Sequence, residues 1–85
     1  MNVAEIIKKN FKKGDILYSP LFGDVELLSV TPANKDSAIS VAVTEDSGKI
    51  ESKDFSLEGK YFWWYPNAEC LIFPNKDKTW ECYGI

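Results

Sequence analysis

Residues 38–55, AISVAVTEDSGKIESKDF, decide the fold class because they hold a strand, a turn and a second strand in succession. In residues 38–44, β-branched residues alternate with small or polar ones, and a period of two predicts a strand with one apolar face. Residues 45–48 predict a hairpin turn in which Gly48 takes a positive φ. Residues 49–55 predict the returning strand, and its alternate charges indicate a sheet edge.

Period-two patterns on both sides of this hairpin predict further strands. Two precede it, at residues 15–19 and 24–31, and the turn between them is SPLFG, with a proline and a glycine. Two follow it, at residues 69–73 and 79–83. Because many short strands separated by turns are typical of small barrels, we expect a mainly β fold, an SH3-like antiparallel β-barrel of five to six strands.

The first residues predict a short N-terminal helix that ends at a glycine. Asn2 and Glu5 have the spacing of a capping box. The helix presents an apolar stripe at helical spacing, formed by Val3, Ile6, Ile7 and Phe11. A helix this short is stable only when it packs on another element. We therefore expect a single domain over residues 1–85, with residues 1–13 as the helix and 14–85 as the barrel.

The residue types that are missing limit the possible functions. The chain contains no His and no Arg. Ser-His-Asp and Cys-His catalysis are therefore excluded, as are metal sites built from His and bidentate Arg recognition of phosphate or guanine. The pattern places no pair of carboxylates in a sheltered cleft, as acid–base catalysis requires. We expect a protein that is not an enzyme and that uses no cofactor or metal.

Charge and the N-terminal sequence bear on partner and compartment. Ten Lys oppose thirteen Asp and Glu, for a net charge of −3. Binding of duplex nucleic acid, which needs a basic face, is therefore not expected. No signal peptide and no apolar run of membrane-spanning length is evident, so we expect no membrane association and a cytoplasmic location. In that compartment Cys70 and Cys82 are expected to be packed thiols.

Five consecutive aromatic residues, Tyr61-Phe62-Trp63-Trp64-Tyr65, are the strongest functional signal. If the run is extended, its rings point alternately to two faces, and a small barrel can bury only one set. The other set either forms an exposed patch of roughly several hundred Å², of the kind that marks a binding site, or is covered. The helix, the C-terminal segment or a second copy could cover it. We expect Trp63 and Tyr65 to be the more exposed residues.

Lysines near this run suggest an anionic ligand. Lys60 precedes the run, and Lys76 and Lys78 follow the next predicted strand, close to Trp80. Aromatic rings interleaved with lysines suit a ligand that carries a base and a phosphate, since the rings stack on the base and the ammonium groups attract the anion. The same composition also occurs on any solvated edge of a sheet.

The turn at residues 19–23 also has two interpretations. Tyr18 and Phe22 can pack locally across a tight hairpin, or Leu21 and Phe22 can form an exposed hydrophobic loop tip that contacts a partner. The candidate binding residues are therefore Tyr18, Leu21, Phe22, Lys60, Tyr61, Trp63, Tyr65, Lys76, Lys78 and Trp80.

Three stretches of the chain carry a resemblance to known proteins. Residues 13–25, KGDILYSPLFGDV, resemble the opening hairpin of SH3-like and Tudor-like barrels, and their Gly-Asp pair, aromatic residue and Pro-x-x-Gly turn resemble CarD-type RNA-polymerase-interacting domains. Together with GKYF (59–62), ECLIFPNKD (69–77) and Trp80, they resemble small proteins of bacteriophages and prophages. The resemblance implies a barrel fold and a mobile-element origin, and it supplies no activity.

Two functions from different classes follow from these residues. The first is a non-enzymatic binding protein, a phage or prophage accessory factor that binds a host protein through an exposed aromatic surface. The alternative is an anti-defence sponge that sequesters a small nucleotide-like signal in a pocket of aromatic rings and lysines. A second alternative, a transcription-associated SH3-like module, depends on the CarD-like hairpin. A homodimer is compatible with the first two.

Overall fold

A computed structural model describes residues 2–83, which form a sheet, one α-helix and a short 3-10 helix. The elements are helix α1 (Val3–Asn10), strands β1 (Ile16–Ser19), β2 (Gly23–Val30), β3 (Ile39–Thr44) and β4 (Ile50–Phe55), and the 3-10 helix Trp80–Tyr83. The four strands form one antiparallel sheet in the order β1-β2-β3-β4. No helix within residues 2–83 has the length and apolar character that crossing a membrane requires.

The β3–β4 hairpin has the predicted geometry. The N–H of Gly48 donates to the Glu45 carbonyl at 2.8 Å, and Gly48 has a φ of 87°. A side chain is strained at this φ, which explains why glycine occupies the position. The β3 residues alternate between buried and more accessible positions, and β4 lies at the edge of the sheet, as expected.

Helix α1 packs its apolar stripe on the sheet and is tied to the turn that follows β4. The Asn2 side chain accepts a hydrogen bond from the Glu5 N–H at 3.0 Å, so the predicted N-cap is confirmed. Val3 and Ile7 are buried, and so is Ala4. The N–H of Ala4 donates to the Leu57 carbonyl at 3.1 Å, a donor that the helix itself leaves unpaired.

The core lies between α1, the inner face of the sheet and the C-terminal segment. Its buried apolar residues are Val3, Ala4, Ile7, Leu17, Val25, Leu27, Ala38, Ile39, Val41, Val43, Phe55, Ile72 and Trp80. Trp80 packs edge-on against Phe11, with ring centroids 6.2 Å apart, and its indole N–H donates to the Ile72 carbonyl at 2.7 Å. Trp80 is 2% exposed. Trp80, which was expected among the binding residues, therefore packs in the core and has almost no accessible surface to offer a ligand.

The two strands expected after the aromatic run do not form. The N–H of Leu71 donates to the Gly59 carbonyl, whereas Phe73 pairs with Tyr18 of β1. Because residues 70–73 pass from one neighbour to another, each pairing is one residue long and no ladder develops. Residues 80–83 form the 3-10 helix instead of a strand. Within residues 2–83 the sheet therefore has four strands, not five or six, and it is not closed.

Candidate binding surface

The aromatic run forms a turn rather than an extended segment. The N–H of Tyr65 donates to the Phe62 carbonyl at 3.0 Å, and the N–H of Ala68 donates to the Tyr65 carbonyl at 3.2 Å. Phe62, Trp63, Trp64 and Tyr65 are 36%, 45%, 56% and 59% exposed. Tyr65 is the most exposed of the four, as expected, but Trp63 is less exposed than Trp64, because the run is not extended and a turn does not sort side chains onto two faces. We call these four residues the aromatic surface.

Tyr61 joins the aromatic surface to the core. Its ring lies 5.6 Å from the buried Phe55 ring and 5.2 Å from the Phe22 ring, between centroids. On the other side it lies 5.0 Å from Phe62 in an edge-to-face contact. Tyr61 is itself half-buried. Tyr61 therefore connects the exposed rings to the core through aromatic contacts.

The four exposed rings also contact one another. Trp63 and Trp64 meet at 89° with centroids 5.5 Å apart, and Trp64 and Tyr65 lie 5.9 Å apart. Phe62 lies 5.8 Å from Trp64 and 6.2 Å from Tyr65. Contacts of this geometry restrict the side chains before any partner arrives, which lowers the entropy cost of binding.

Trp63 forms a wall of a small cleft beside the turn that follows β4. The cleft has a volume of about 240 Å³ and is lined by Lys35, Asp36, Ser56, Leu57, Glu58, Lys60 and Trp63. The Lys60 ammonium lies 3.7 Å from the Glu58 carboxylate. Two lysines thus face two acidic residues. The cleft offers stacking and hydrogen bonding but little net positive charge for an anion.

A second cleft lies on the other side of Trp63, along the edge strand β4. Its volume is about 370 Å³, and its lining residues are Asp36, Ser37, Ser52, Lys53, Asp54, Tyr61, Trp63 and Trp64. The Lys53 ammonium lies 3.2 Å from the Glu51 carboxylate and 5.8 Å from the Phe22 ring centroid. Hydrogen bonding to Glu51 raises the pKa of Lys53 and, reciprocally, bonding to Lys53 lowers the pKa of Glu51. Both groups stay charged at neutral pH.

The other predicted residues are divided between separate places. Lys76 and Lys78 line a cleft of about 230 Å³ with Tyr18 and do not share the Trp63 clefts with Lys60. Leu21 is 44% exposed at the β1–β2 turn. Phe22 is half-buried and packs on Phe55 and Tyr61.

Sequence reasoning missed two groups of residues at this surface. Phe62 and Trp64 belong to it, and their exposure could have been found only by recognising the turn. Lys35 and Asp36 come from a loop far away in the sequence, which the bond from the Leu57 N–H to the Lys35 carbonyl (2.8 Å) holds against β4. No pattern in the neighbouring sequence predicts that contact.

The two cysteines, both of which the structure describes, are free thiols. Cys70 is half-buried and donates to the Ile72 carbonyl at 3.2 Å, and burial raises the pKa of its thiol. Cys82 is exposed and donates to the Thr79 carbonyl at 2.9 Å, so only Cys70 is packed as expected. In the part of the chain that the structure describes, no group of three or more Cys, Asp or Glu side chains could hold a metal ion.

Comparison with known proteins assigns the chain to no family. Comparison of the chain with protein-family models, with curated proteins and with solved structures gives no significant match.

Proposed function

We propose that this chain is a non-catalytic binding domain whose aromatic surface binds a protein partner. The observation that carries the proposal is the simultaneous exposure of four consecutive large aromatic side chains, each between 36% and 59% exposed. Exposed apolar area of this kind gains little on folding and much on association, because water is released only when a partner covers it.

The shape of the surface favours a protein over a small molecule. Phe62, Trp63, Trp64 and Tyr65 project from a turn, and the clefts beside Trp63 are open and modest in size. Trp and Tyr are enriched among the residues that dominate binding energy at protein interfaces. In the accessory-factor interpretation, the partner is a protein of the bacterial host, which would suit the mobile-element origin that the resemblance to phage proteins implies.

Photocrosslinking at the aromatic surface tests the proposal. With p-benzoylphenylalanine in place of Tyr65, we expect irradiation in a bacterial lysate to join the chain covalently to a specific protein. Adding Trp63→Ala and Trp64→Ala should reduce the adduct at least about tenfold, because each dominant interface residue contributes about 2 kcal/mol or more.

The chain offers a matched control for this experiment. Tyr83 is also an exposed tyrosine (39%) but packs beside Phe11 and Trp80, away from the aromatic turn. The crosslinker at Tyr83 should give no such adduct. Equal adducts from both positions, or an adduct unchanged by the two tryptophan substitutions, would contradict the proposal.

A small nucleotide-like ligand is the second candidate, because one cleft brings Trp63 together with Lys35 and Lys60, although Asp36 and Glu58 in the same cleft offset the lysine charges. A thermal-shift panel of cyclic nucleotides and adenine compounds tests it. A ligand at 100 times its Kd adds about 2.7 kcal/mol to stability, so a tight binder raises the Tm visibly. The shift should disappear in Lys60→Ala. An unchanged Tm across the panel removes this candidate.

We also propose that residues 70–73 complete the sheet towards an SH3-like barrel. Tyr18 and Phe73 exchange two backbone hydrogen bonds of 2.9 and 2.7 Å, and Lys60 forms a single bridge with Cys70, so the segment spans from the turn that follows β4 to β1. If it closes the sheet in solution, the amides of Tyr18 and Phe73 should exchange with deuterium as slowly as those of β2. Exchange as fast as at the exposed Lys76 would exclude closure.

A further inference from the structure

Strand β4 has an open backbone edge. Hydrogen-bonded and non-hydrogen-bonded pairs alternate along an antiparallel ladder. Because the Glu45 N–H donates to the Lys49 carbonyl, the bonded pairs with β3 that follow are those of Glu51, Lys53 and Phe55. The N–H and C=O groups of the residues between them therefore point away from β3. Those residues are Ile50, Ser52 and Asp54.

The open edge has a defined length. Two residues beyond Asp54, the N–H of Ser56 donates to the Lys60 carbonyl at 2.9 Å, so the turn that follows β4 occupies the edge there. At the other end lies the hairpin turn at Gly48. The open edge thus offers outward donors and acceptors over residues 50–54, a length that one short extended segment would satisfy.

The charges along β4 specify which segment fits. Lys49, Glu51 and Lys53 alternate along the strand with the residues whose backbone N–H and C=O groups point outward. When two copies of β4 pair antiparallel about Ser52, Glu51 of each chain lies opposite the partner's Lys53. Pairing about Glu51 places two glutamates opposite each other, and pairing about Lys53 places two lysines there. The charges therefore favour pairing about Ser52 over pairing about Glu51 or Lys53.

The exposed isoleucine of β4 fits the same register. Ile50 is 66% exposed, more than any other large apolar side chain among residues 2–83. In the pairing about Ser52 it lies opposite the partner's Asp54. Asp54 is one of the residues that line the cleft beside Trp63 and Trp64, so the isoleucine of one chain would lie at the margin of the other chain's cleft. This arrangement removes apolar area from water on both chains.

We propose that the chain forms a symmetric dimer by antiparallel pairing of β4 with the β4 strand of a second copy, about a two-fold axis at Ser52. The three outward pairs supply about six backbone hydrogen bonds, two per bonded pair. The two sheets become one continuous eight-stranded sheet. The pairing does not require the proposed function, and either can fail without the other.

The dimer has a consequence for binding. A two-fold axis perpendicular to the sheet places both aromatic surfaces on the same face. Asp54 and the partner's Asp54 are then separated by four residues along the strand direction, roughly 13 Å. Two copies of the aromatic surface would be presented to one partner, and such bivalency raises avidity without new contacts.

Charge substitutions on the edge strand test the dimer. Lys53→Glu places glutamates opposite each other, and Glu51→Lys places lysines opposite each other. By analytical ultracentrifugation we expect each variant alone to dimerise about 10- to 100-fold more weakly than the natural chain. An equimolar mixture of the two variants should form a heterodimer, and the double variant Glu51→Lys with Lys53→Glu should dimerise as the natural chain does.

Two further variants separate pairing from folding. Ser52→Pro removes only an outward N–H, so it should abolish the dimer and leave the circular dichroism spectrum unchanged. Lys76→Glu makes the same charge change outside β4 and should leave the dimer intact. A natural chain that stays monomeric at about 1 mM overturns the proposal. Charge variants that dimerise like the natural chain, or a mixture that gains no heterodimer, overturn it as well.

Discussion

Trp80→Ala is expected to lower the free energy of unfolding by about 3–5 kcal/mol, the range for removing a large buried aromatic side chain. Trp80 is 2% exposed and packs on Phe11, so the substitution leaves a cavity between α1 and the C-terminal segment. It also removes the hydrogen bond to the Ile72 carbonyl. Since the free energy of unfolding of a small domain is about 5–15 kcal/mol in total, the variant should unfold at a urea concentration well below the natural chain's midpoint.

Trp63→Ala is the matched control, because it makes the same chemical change at a position that is 45% exposed. We expect it to cost less than about 1 kcal/mol, as substitutions away from the core usually do. Urea unfolding followed by far-ultraviolet circular dichroism compares the two. Similar losses from both substitutions would show that the aromatic turn belongs to the core.

Gly59→Ala is expected to destabilise the fold by about 2–4 kcal/mol, from the sum of backbone strain and overpacking. Gly59 has a φ of 78°. A Cβ at this position would lie 2.7 Å from the Cys70 sulfur and 3.1 Å from Cγ2 of Ile72. The Cys70 side chain or the turn after β4 must therefore shift, which disturbs the contact between residues 70–73 and the rest of the core.

Gly48→Ala isolates the backbone contribution, because Gly48 has a similar φ of 87° and nothing within 4 Å of an added Cβ. It should cost only about 1–2 kcal/mol. Adding Cys70→Ala to Gly59→Ala removes the nearest clashing atom. The free energy of unfolding of the double variant should therefore fall by less than the sum of the decreases in the two single variants. Equal effects at both glycines would show that the close approach at Gly59 does not constrain the fold.

The regular part of this fold could be predicted because each signal was local. The helix and β1 to β4 follow from the period of the apolar residues and from turn residues, and the strands agree with the structure within a few residues, whereas α1 ends at Asn10 and not at the predicted Gly14. One detail lies outside such patterns, a bulge at Leu28 in the β2–β3 register. The alternation of apolar residues in β2 does not specify it.

The part after Phe55 could not be predicted in the same way. Residues 70–73 have strand-like composition, but their backbone pairs with two different elements in turn, which no periodicity records. Trp80 and Trp63 are chemically identical, and only the position of α1 and Phe11 decides that the first is buried. The aromatic run pointed to a surface, but its turn geometry and its distant neighbours Lys35 and Asp36 arise from the fold.

The central claim is that the aromatic surface is available for binding and is not needed for folding. The most direct measurement is the free energy of unfolding of the double variant Trp63→Ala with Trp64→Ala, taken in urea at a low protein concentration that keeps the chain monomeric. We predict a value within about 1 kcal/mol of the natural chain, with an unchanged m-value. A loss of about 3 kcal/mol or more, the cost of emptying a core site, would contradict the claim.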